Sequence, residues 1–365
     1  MLGTVLIVGV GMIGGSLALS IKTHHPNAKV MGFDVNQNEI EKALKYKIID
    51  AAAQSLEEGA RTADLIILST PVIESKKTIE KLAQMKLKEH VIVTDTGSAK
   101  GEIVDAAIRC FNNQVTFIGG HPMSGSHQSG VDNSDLHLFE NAYYLLTPAT
   151  IACTGRVDEL KKWLSKIKAQ FVIVDKEEHD FVTGLISHFP HILASLLVNQ
   201  VKQQSGSSPI TSMIAAGGFR DFTRIASSNP KMWKDITLQN RRVLLNLISD
   251  FQHKLEGLSE VLLEGNETVT TQFFEEAKQY RDSLPSRNKQ ASLPYFRLSI
   301  QVNHAPEELN CLFRLLDNEN ILIADYQLEW LHANQVVNLC FMKEEDRLKA
   351  CELLENNHFQ ICQVA

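Results

Sequence analysis

Paired-cysteine motifs are missing from this chain. Its six cysteines, at 110, 153, 311, 340, 351 and 362, include no Cys-x-x-Cys. That sets aside a zinc ribbon and a thioredoxin-like centre, and leaves reduced thiols in a cytosolic protein. A basic excess is missing too: 36 Lys and Arg stand against 43 Asp and Glu, a net charge of −7. The balance argues against a general nucleic-acid binder and requires any anionic ligand to find locally gathered cations. Low-complexity tracts are absent, and 44% hydrophobic against 22% charged residues excludes a disordered chain. The uncharged run Val5–Ile21 (VLIVGVGMIGGSLALSI) is shorter than the roughly 20 residues a membrane span needs. No basic segment precedes it, so no signal peptide or membrane segment is expected and the location reads as cytoplasmic.

What is present is alternation. Apolar β-branched runs at 4–10, 29–34, 64–70, 90–96, 115–120, 142–148 and 171–175 are separated mostly by helical stretches such as NEIEKALKY and VDELKKWLSKIKAQ. That order predicts an α/β domain over 1–175 with a parallel, doubly wound Rossmann-type sheet. From 176 to 282 the strand signal stops and helical patterns take over, LLNLISDFQHKLEGLSEVLL keeping a 3.6 period. We read this as an all-helical domain whose last helices pack either on their own core or on a partner subunit. The polar, proline-containing stretch around 283–293 reads as a linker. Residues 294–365 follow a β-α-β-β-α-β rhythm, the ferredoxin-like split βαβ.

Gly9-Val10-Gly11-Met12-Ile13-Gly14 fits GxGxxG where a strand runs into a helix. Gly9 permits the tight turn, Gly11 lets the backbone approach a pyrophosphate, and Gly14 lets helix and strand pack closely. The phosphates would rest on the N–H groups of the helix start, at Met12 and Ile13. Asp34, 20 residues beyond Gly14 at the end of the second strand, suits ribose hydroxyls and repels a 2′-phosphate. Val35-Asn36-Gln37-Asn38 supplies no cation for such a phosphate, so NAD is expected rather than NADP. Ser69-Thr70-Pro71 and Thr94 to Ser98 close two further strands and should line the nicotinamide half of the cleft, unless they are ordinary helix caps.

Three groups could carry chemistry. His121, in Gly119-Gly120-His121-Pro122, follows a strand on the same edge and suits proton removal near neutral pH, a buried structural imidazole being the alternative. His188 and His191, in SHFPH, are three apart on one helix face, and Pro190 should disturb that helix. They read as substrate or cofactor contacts or as core, with no second pair to complete a metal site. Arg220 and Arg224, in GGFRDFTR, are four apart and on one helix face could hold carboxylates, a solvated basic face being the alternative.

Taken together, GVGMIGGSLA (9–18), STPV (69–72), TDTGSAKG (94–101), GGHPMSGS (119–126), SHFPH (187–191) and GGFRDFTRIASSNPKMW (217–233) resemble the prephenate dehydrogenases of the tyrosine pathway over nearly the whole chain. The resemblance implies NAD-dependent oxidative decarboxylation of prephenate to 4-hydroxyphenylpyruvate. It implies that His121 accepts the proton of the 4-hydroxyl, that Ser98 holds the same oxygen and helps orient His121, and that Arg224 binds a substrate carboxylate. His188, His191 and Arg220 would shape the remaining anionic pocket. It also implies a homodimer built by the helical domain, and a C-terminal unit similar to the ACT domain with L-tyrosine as an effector. Ala305-Pro306-Glu307-Glu308 stands where ACT domains commonly carry a glycine, and His127 where many relatives have an acid. Two other readings differ in kind: an arogenate-preferring enzyme, and a non-catalytic NAD-linked amino-acid sensor. The combination of Ser98, His121 and Arg224 argues against the sensor, which needs no base at a hydride site.

Overall fold

The computed structural model describes residues 1–125, 129–204, 210, 214–284, 296–302, 305–323, 325–331, 334–341 and 343–364. His127 and the greater part of the expected linker, 285–293, lie outside the described residues. The chain divides into two compact units, Met1–Thr270 and Thr271–Ala365.

In the first unit eight strands form one sheet: β1 (Gly3–Val8), β2 (Ala28–Phe33), β3 (Ala51–Ala52), β4 (Leu65–Leu68), β5 (Ile92–Asp95), β6 (Thr116–Pro122), β7 (Tyr143–Pro148) and β8 (Gln170–Ile173). Their order across the sheet is β3-β2-β1-β4-β5-β6-β7-β8. The helices between them are α1 (Met12–His24), α2 (Gln37–Lys45), α3 (Leu56–Thr62), α4 (Val72–Leu82), α5 (Gly101–Phe111), α6 (Ile151–Thr154) and α7 (Val157–Leu164). The order reverses between β1 and β4, where the loops diverge and a doubly wound sheet opens its ligand crevice.

The apolar run at 5–21 is explained by this architecture. Val5 and Ile7 of β1 pack into the core on one face of the sheet, Leu6 and Val8 into the core on the other. Leu65 and Ile67 against Ile66 and Leu68 do the same in β4. A strand covered on both faces has no polar side to alternate with. Each such side chain contributes about 1.5–3 kcal/mol relative to exposure.

The sheet is parallel through β6, but β7 runs antiparallel to it and β8 returns parallel to β7. This corrects the expectation of a wholly parallel sheet. The β6–β7 connection carries, among its described residues, only the 3₁₀ turn Val131–Asn133, too little for a crossover. β6 also runs farther than expected: His121 is inside the strand, paired with Leu145.

The helical segment follows as α8 (Lys176–Thr183), a π-helical turn (Gly184–His188), α9 (Phe189–Gln204), α10 (Gly217–Thr223), a 3₁₀ turn (Arg224–Ser227), α11 (Pro230–Gln239), α12 (Arg241–Glu264) and α13 (Glu267–Ser283). α8 packs on α5 and β7, and α11 on α4, so these helices lie over the carboxyl edge of the sheet. The run Lys176–Gln204 is long and apolar enough to cross a membrane by length and composition, an 18-residue window within it having a mean hydropathy of 1.6. It nevertheless buries His179, Asp180, His188 and His191 within the protein. Much of the helical segment's apolar surface is uncovered, including Ile186, Leu196, Leu245 and Leu262.

The second unit runs β9 (Phe296–Val302), α14 (Ala305–Asn318), β10 (Asp325–Leu331), β11 (Asn334–Phe341), α15 (Glu344–Asn356) and β12 (Gln360–Val364). Its sheet has the order β10-β11-β9-β12 with every neighbour antiparallel. Leu298, Ile300, Leu312, Leu339, Phe341 and Leu354 belong to its core.

Candidate active site

The glycine turn is shaped by contacts that exclude larger residues at two of its three positions. Gly9 has φ +92°, and a Cβ there would stand 2.5 Å from the Ser69 carbonyl oxygen. A Cβ on Gly14 would stand 2.1 Å from the Gly9 carbonyl oxygen. Gly11 differs: a Cβ there meets nothing within 4 Å, so its space is open for a ligand. Gly11 is also the N-cap of α1, with no side-chain cap and no acid in the first turn. The N–H groups opening α1 at Met12 and Ile13 are therefore available to an anion. Asp34, just past β2, accepts the Val10 N–H at 2.8 Å and the Asn36 N–H at 2.8 Å, which pins its carboxylate against the glycine turn. These features fit a dinucleotide, with the open glycine for its pyrophosphate and the carboxylate for a ribose.

Ser69, Thr70 and Pro71 form the β4–α4 turn beside Gly9. Ser69 Oγ accepts from Thr96 Oγ1 at 3.4 Å, Thr70 Oγ1 lies 2.9 Å from Ser75 Oγ, and Pro71 is the N-cap of α4. Ser98 is half-buried in the β5–α5 loop and does not cap α5, whose N-cap is Lys100.

His121 is 7% exposed and held by a chain of groups that sequence reasoning missed. His121 Nδ1 lies 2.9 Å from His179 Nε2, and His179 Nδ1 lies 2.8 Å from Asp180 Oδ1. Asp180 Oδ1 also accepts the Lys100 N–H at 2.7 Å, and Oδ2 the Gly101 N–H at 2.8 Å, at the start of α5. Burial alone would push this carboxyl up, but the bonds from His179, Lys100 and Gly101 outweigh it and hold the pKa below the usual range. An ionised Asp180 only accepts, so His179 carries its proton on Nδ1 and accepts at Nε2. His121 must then donate from Nδ1, leaving Nε2 with a free lone pair. Burial, followed by the charges of His179, Lys100 and His188, pushes the His121 pKa well below the ordinary value. The result is a neutral imidazole with one basic nitrogen to offer.

Beneath it lies a wholly buried ion pair between Lys100 and Asp95. Asp95 accepts N–H bonds from Gly97 at 2.8 Å and Gly120 at 3.1 Å, tying the Ser98 loop to the residue before His121. The two charges are five residues apart, at the end of β5 and the N-cap of α5, and the Gly120 N–H of neighbouring β6 completes the bonding of the carboxylate.

The helical segment supplies the opposite wall. From His179 to His191 is 12 positions, which at about 100° per residue would separate the side chains by about a third of a turn. The π-helical turn takes up about one residue and brings both toward the same side. It ends two residues before Pro190, whose missing N–H already breaks the regular ladder. His188 and His191 are both buried and both meet Trp233, His191 stacked at 3.4 Å between ring centroids and His188 edge-on at 6.1 Å. Burial lowers the His188 pKa to about 4 and that of His191 below the ordinary value. A cavity of about 480 Å³ opens beside His191 and Trp233, with Ser195, Asn199 and Thr237 on its wall.

The α10 helix passes at Thr223 directly into a 3₁₀ turn opened by Arg224, whose backbone is still right-handed helical, so the two cations stand about one turn apart on a mixed α/3₁₀ segment. The chain must leave the helix before Asn229, which caps α11 with Pro230 in its first turn. Both arginines are exposed; Arg220 Nε donates to the Ala215 carbonyl at 3.0 Å, and among the described residues no carboxylate pairs with either. Among the described residues no group of His, Cys, Asp and Glu is arranged to hold a metal ion.

Comparison with known proteins places this geometry in context. The family model described as "Prephenate dehydrogenase, nucleotide-binding domain" matches residues 17–173, and "Prephenate dehydrogenase, dimerization domain" matches 175–279. Curated prephenate dehydrogenases from Bacillus subtilis (37% identity, 96% of this chain and 95% of that one) and Lactococcus lactis (39%, 96% and 97%) are similar over nearly their whole lengths. Among solved structures, the Aquifex aeolicus prephenate dehydrogenase in complex with hydroxyphenyl propionate and NAD⁺ aligns with a TM-score of 0.72 at 34% identity. That alignment covers 78% of this chain and 99% of that one. A Synechocystis arogenate dehydrogenase aligns with a TM-score of 0.67 at 28% identity, covering 76% and 99%.

Proposed function

The chain belongs to the prephenate dehydrogenase family, and on that premise we propose that it carries out the NAD-dependent oxidative decarboxylation of prephenate to 4-hydroxyphenylpyruvate in L-tyrosine biosynthesis. The observation that carries the reading is the His121–His179–Asp180 chain, which leaves a neutral, basic Nε2 on the sheet edge that also holds the glycine turn. The test is absorbance at 340 nm with purified protein, prephenate and NAD⁺, repeated with arogenate and with NADP⁺. A rise with prephenate and NAD⁺ is expected; none with prephenate, in protein that binds NAD⁺, overturns the reading.

Bound NAD⁺ supplies the hydride acceptor. The open space at Gly11, the N–H groups at Met12 and Ile13, and the pinned Asp34 carboxylate hold it, with Ser69, Thr70 and Pro71 along the nicotinamide side. His121 Nε2 takes the proton of the 4-hydroxyl as the carbinol becomes a carbonyl. Its Nδ1–H stays on His179, and the positive charge that develops is stabilised through His179 by Asp180. Ser98 holds the same oxygen. Arg224 binds a substrate carboxylate, and Arg220, His188 and His191 complete the pocket for the dianion. Prephenate becomes aromatic as carbon dioxide leaves, so the residues have mainly to align the hydroxyl and accept its proton.

We further assign residues 1–175 to cofactor binding, 176–282 to substrate binding and dimerisation, 283–293 to a linker and 294–365 to an ACT-like regulatory domain. The uncovered apolar side chains of the helical segment support a homodimer, since patches of this kind are normally buried by a partner. The β-α-β-β-α-β order and the sheet order β10-β11-β9-β12 support the ferredoxin-like, ACT-like reading of the C-terminal unit. L-Tyrosine is its proposed effector. The unbridged cysteines at 110, 153, 311 and 351 suit a cytoplasmic enzyme.

A further inference from the structure

Asn240 joins α11 to α12 and is 3% exposed. Its Nδ2 donates to the main-chain oxygen of Asp180 at 2.7 Å and lies 3.1 Å from Nδ1 of His188. These two distances determine where a proton sits. The Asp180 carbonyl can only accept, so the amide atom facing it is nitrogen; turned over, Asn240 would set oxygen against oxygen. The second hydrogen of the same NH₂ group is then directed at His188 Nδ1, which has to accept it. The His188 proton is left on Nε2. A doubly protonated ring would bring an Nδ1–H against the amide N–H, which opposes the imidazolium in the same direction as burial and the nearby His179 and His191; Asp180 acts the other way. The close approach depends on Gly184 at the start of the π-helical turn. A Cβ there would stand 3.1 Å from Asn240 Nδ2 and 2.8 Å from Val243 Cγ1.

We propose that Asn240 is a positioning residue: it locks His188 as the neutral Nε2–H tautomer, so that His188 offers a hydrogen-bond donor, and no acceptor, to an oxygen of the bound ligand. This rests on the reading above that His188 contacts a ligand. The oxygen belongs to a carboxamide or a carboxylate, the first supplied by the cofactor and the second by the substrate. An asparagine suits this task better than an acid. A carboxylate at 240 would take the proton onto Nδ1 and turn Nε2 into an acceptor facing another acceptor.

The test uses full-length protein labelled with ¹⁵N-histidine, the His188 signals being identified by their loss in His188→Gln. Imidazole ¹⁵N shifts report which nitrogen carries the proton. In the wild type, Nδ1 bare and Nε2 protonated at neutral pH is expected; an Nδ1–H tautomer or an imidazolium overturns the proposal without any variant. In Asn240→Asp the tautomer is expected to invert, and the KM for either NAD⁺ or prephenate to rise about tenfold or more, with kcat changing less. Which KM moves identifies the cofactor or the substrate as the source of the oxygen. Inversion with both constants unchanged overturns the donor role. Gly184→Ala, which crowds the same amide, should move the same KM, and a KM unchanged there while the tautomer is disturbed counts equally against it. If prephenate is not turned over at all, the functional reading fails, whereas the tautomer and the NAD⁺ affinity still report on Asn240.

Discussion

His121 Nδ1 and His179 Nε2 lie 2.9 Å apart although 58 residues separate them, and the second ring determines which nitrogen of the first is basic. Removing either should be felt in kcat rather than in cofactor binding. His121→Asn should lower kcat by about 10³-fold, within the range for general bases. His179→Ala should lower it by about 10²-fold, because His121 then loses its orienting acceptor and its link to Asp180. Steady-state kinetics with NAD⁺ affinity measured separately checks both. Wild-type turnover in His179→Ala would show that the chain is structural only.

The same ring should shape the pH profile. The base must be neutral, and burial with the neighbouring positive groups holds the His121 pKa well below its ordinary value. The acidic limb of kcat/KM should therefore lie below about 6.5, the value for an unperturbed histidine. A limb at or above that value contradicts the assignment.

Fold stability should respond to pH in the direction set by His188. Its folded pKa, about 4, is depressed relative to the unfolded chain. Between the two values the unfolded state binds more protons, so stability falls as pH drops from about 6.5 to about 4 and this contribution levels off below. The buried ring accounts for on the order of 3 kcal/mol across that window. Denaturant unfolding at several pH values should show a smaller decline in His188→Gln than in the wild type.

Two glycines of the cofactor turn should separate cleanly. Gly14→Ala drives a Cβ to 2.1 Å from the Gly9 carbonyl oxygen and should cost about 1–3 kcal/mol of stability. Gly11→Ala meets nothing within 4 Å, so the unfolding midpoint should hold while NAD⁺ affinity falls, because the methyl occupies ligand space. Thermal unfolding and NAD⁺ titration on the two variants check the contrast; equal losses of stability would refute it.

The buried Lys100–Asp95 pair should be intolerant of half-removal. Lys100→Met leaves the Asp95 carboxylate buried without its cation and should destabilise by about 3–5 kcal/mol. Adding Asp95→Asn removes the stranded charge and should recover much of that loss. Urea unfolding of the single and double variants measures it, and additive losses would rule out the coupling.

Local chemistry was legible where neighbours in sequence are neighbours in space. The glycine turn, Asp34 and the strand–helix alternation of the first domain all read directly, because each depends on a few consecutive residues. His121 could be singled out because it closes a strand on the ligand edge. His179 and Asp180 could not: HD in DKEEHDFVTG looks like any polar helix start, and it matters only because α8 packs on α5 and β7. The change from α-helix to 3₁₀ turn at Arg224 was not legible either, since it is set by the approach of the capped start of α11.

The sequence by itself therefore determined the α/β class, the dinucleotide turn and the residue types available for proton transfer. Periodicity, glycine sterics and intrinsic pKa values are properties of short segments. Only the tertiary structure decided which nitrogen of His121 is basic and which proton His188 keeps. Each of these depends on an acceptor or charge brought across the fold at hydrogen-bond distance in a dry interior, and no spacing along the chain encodes such a distance.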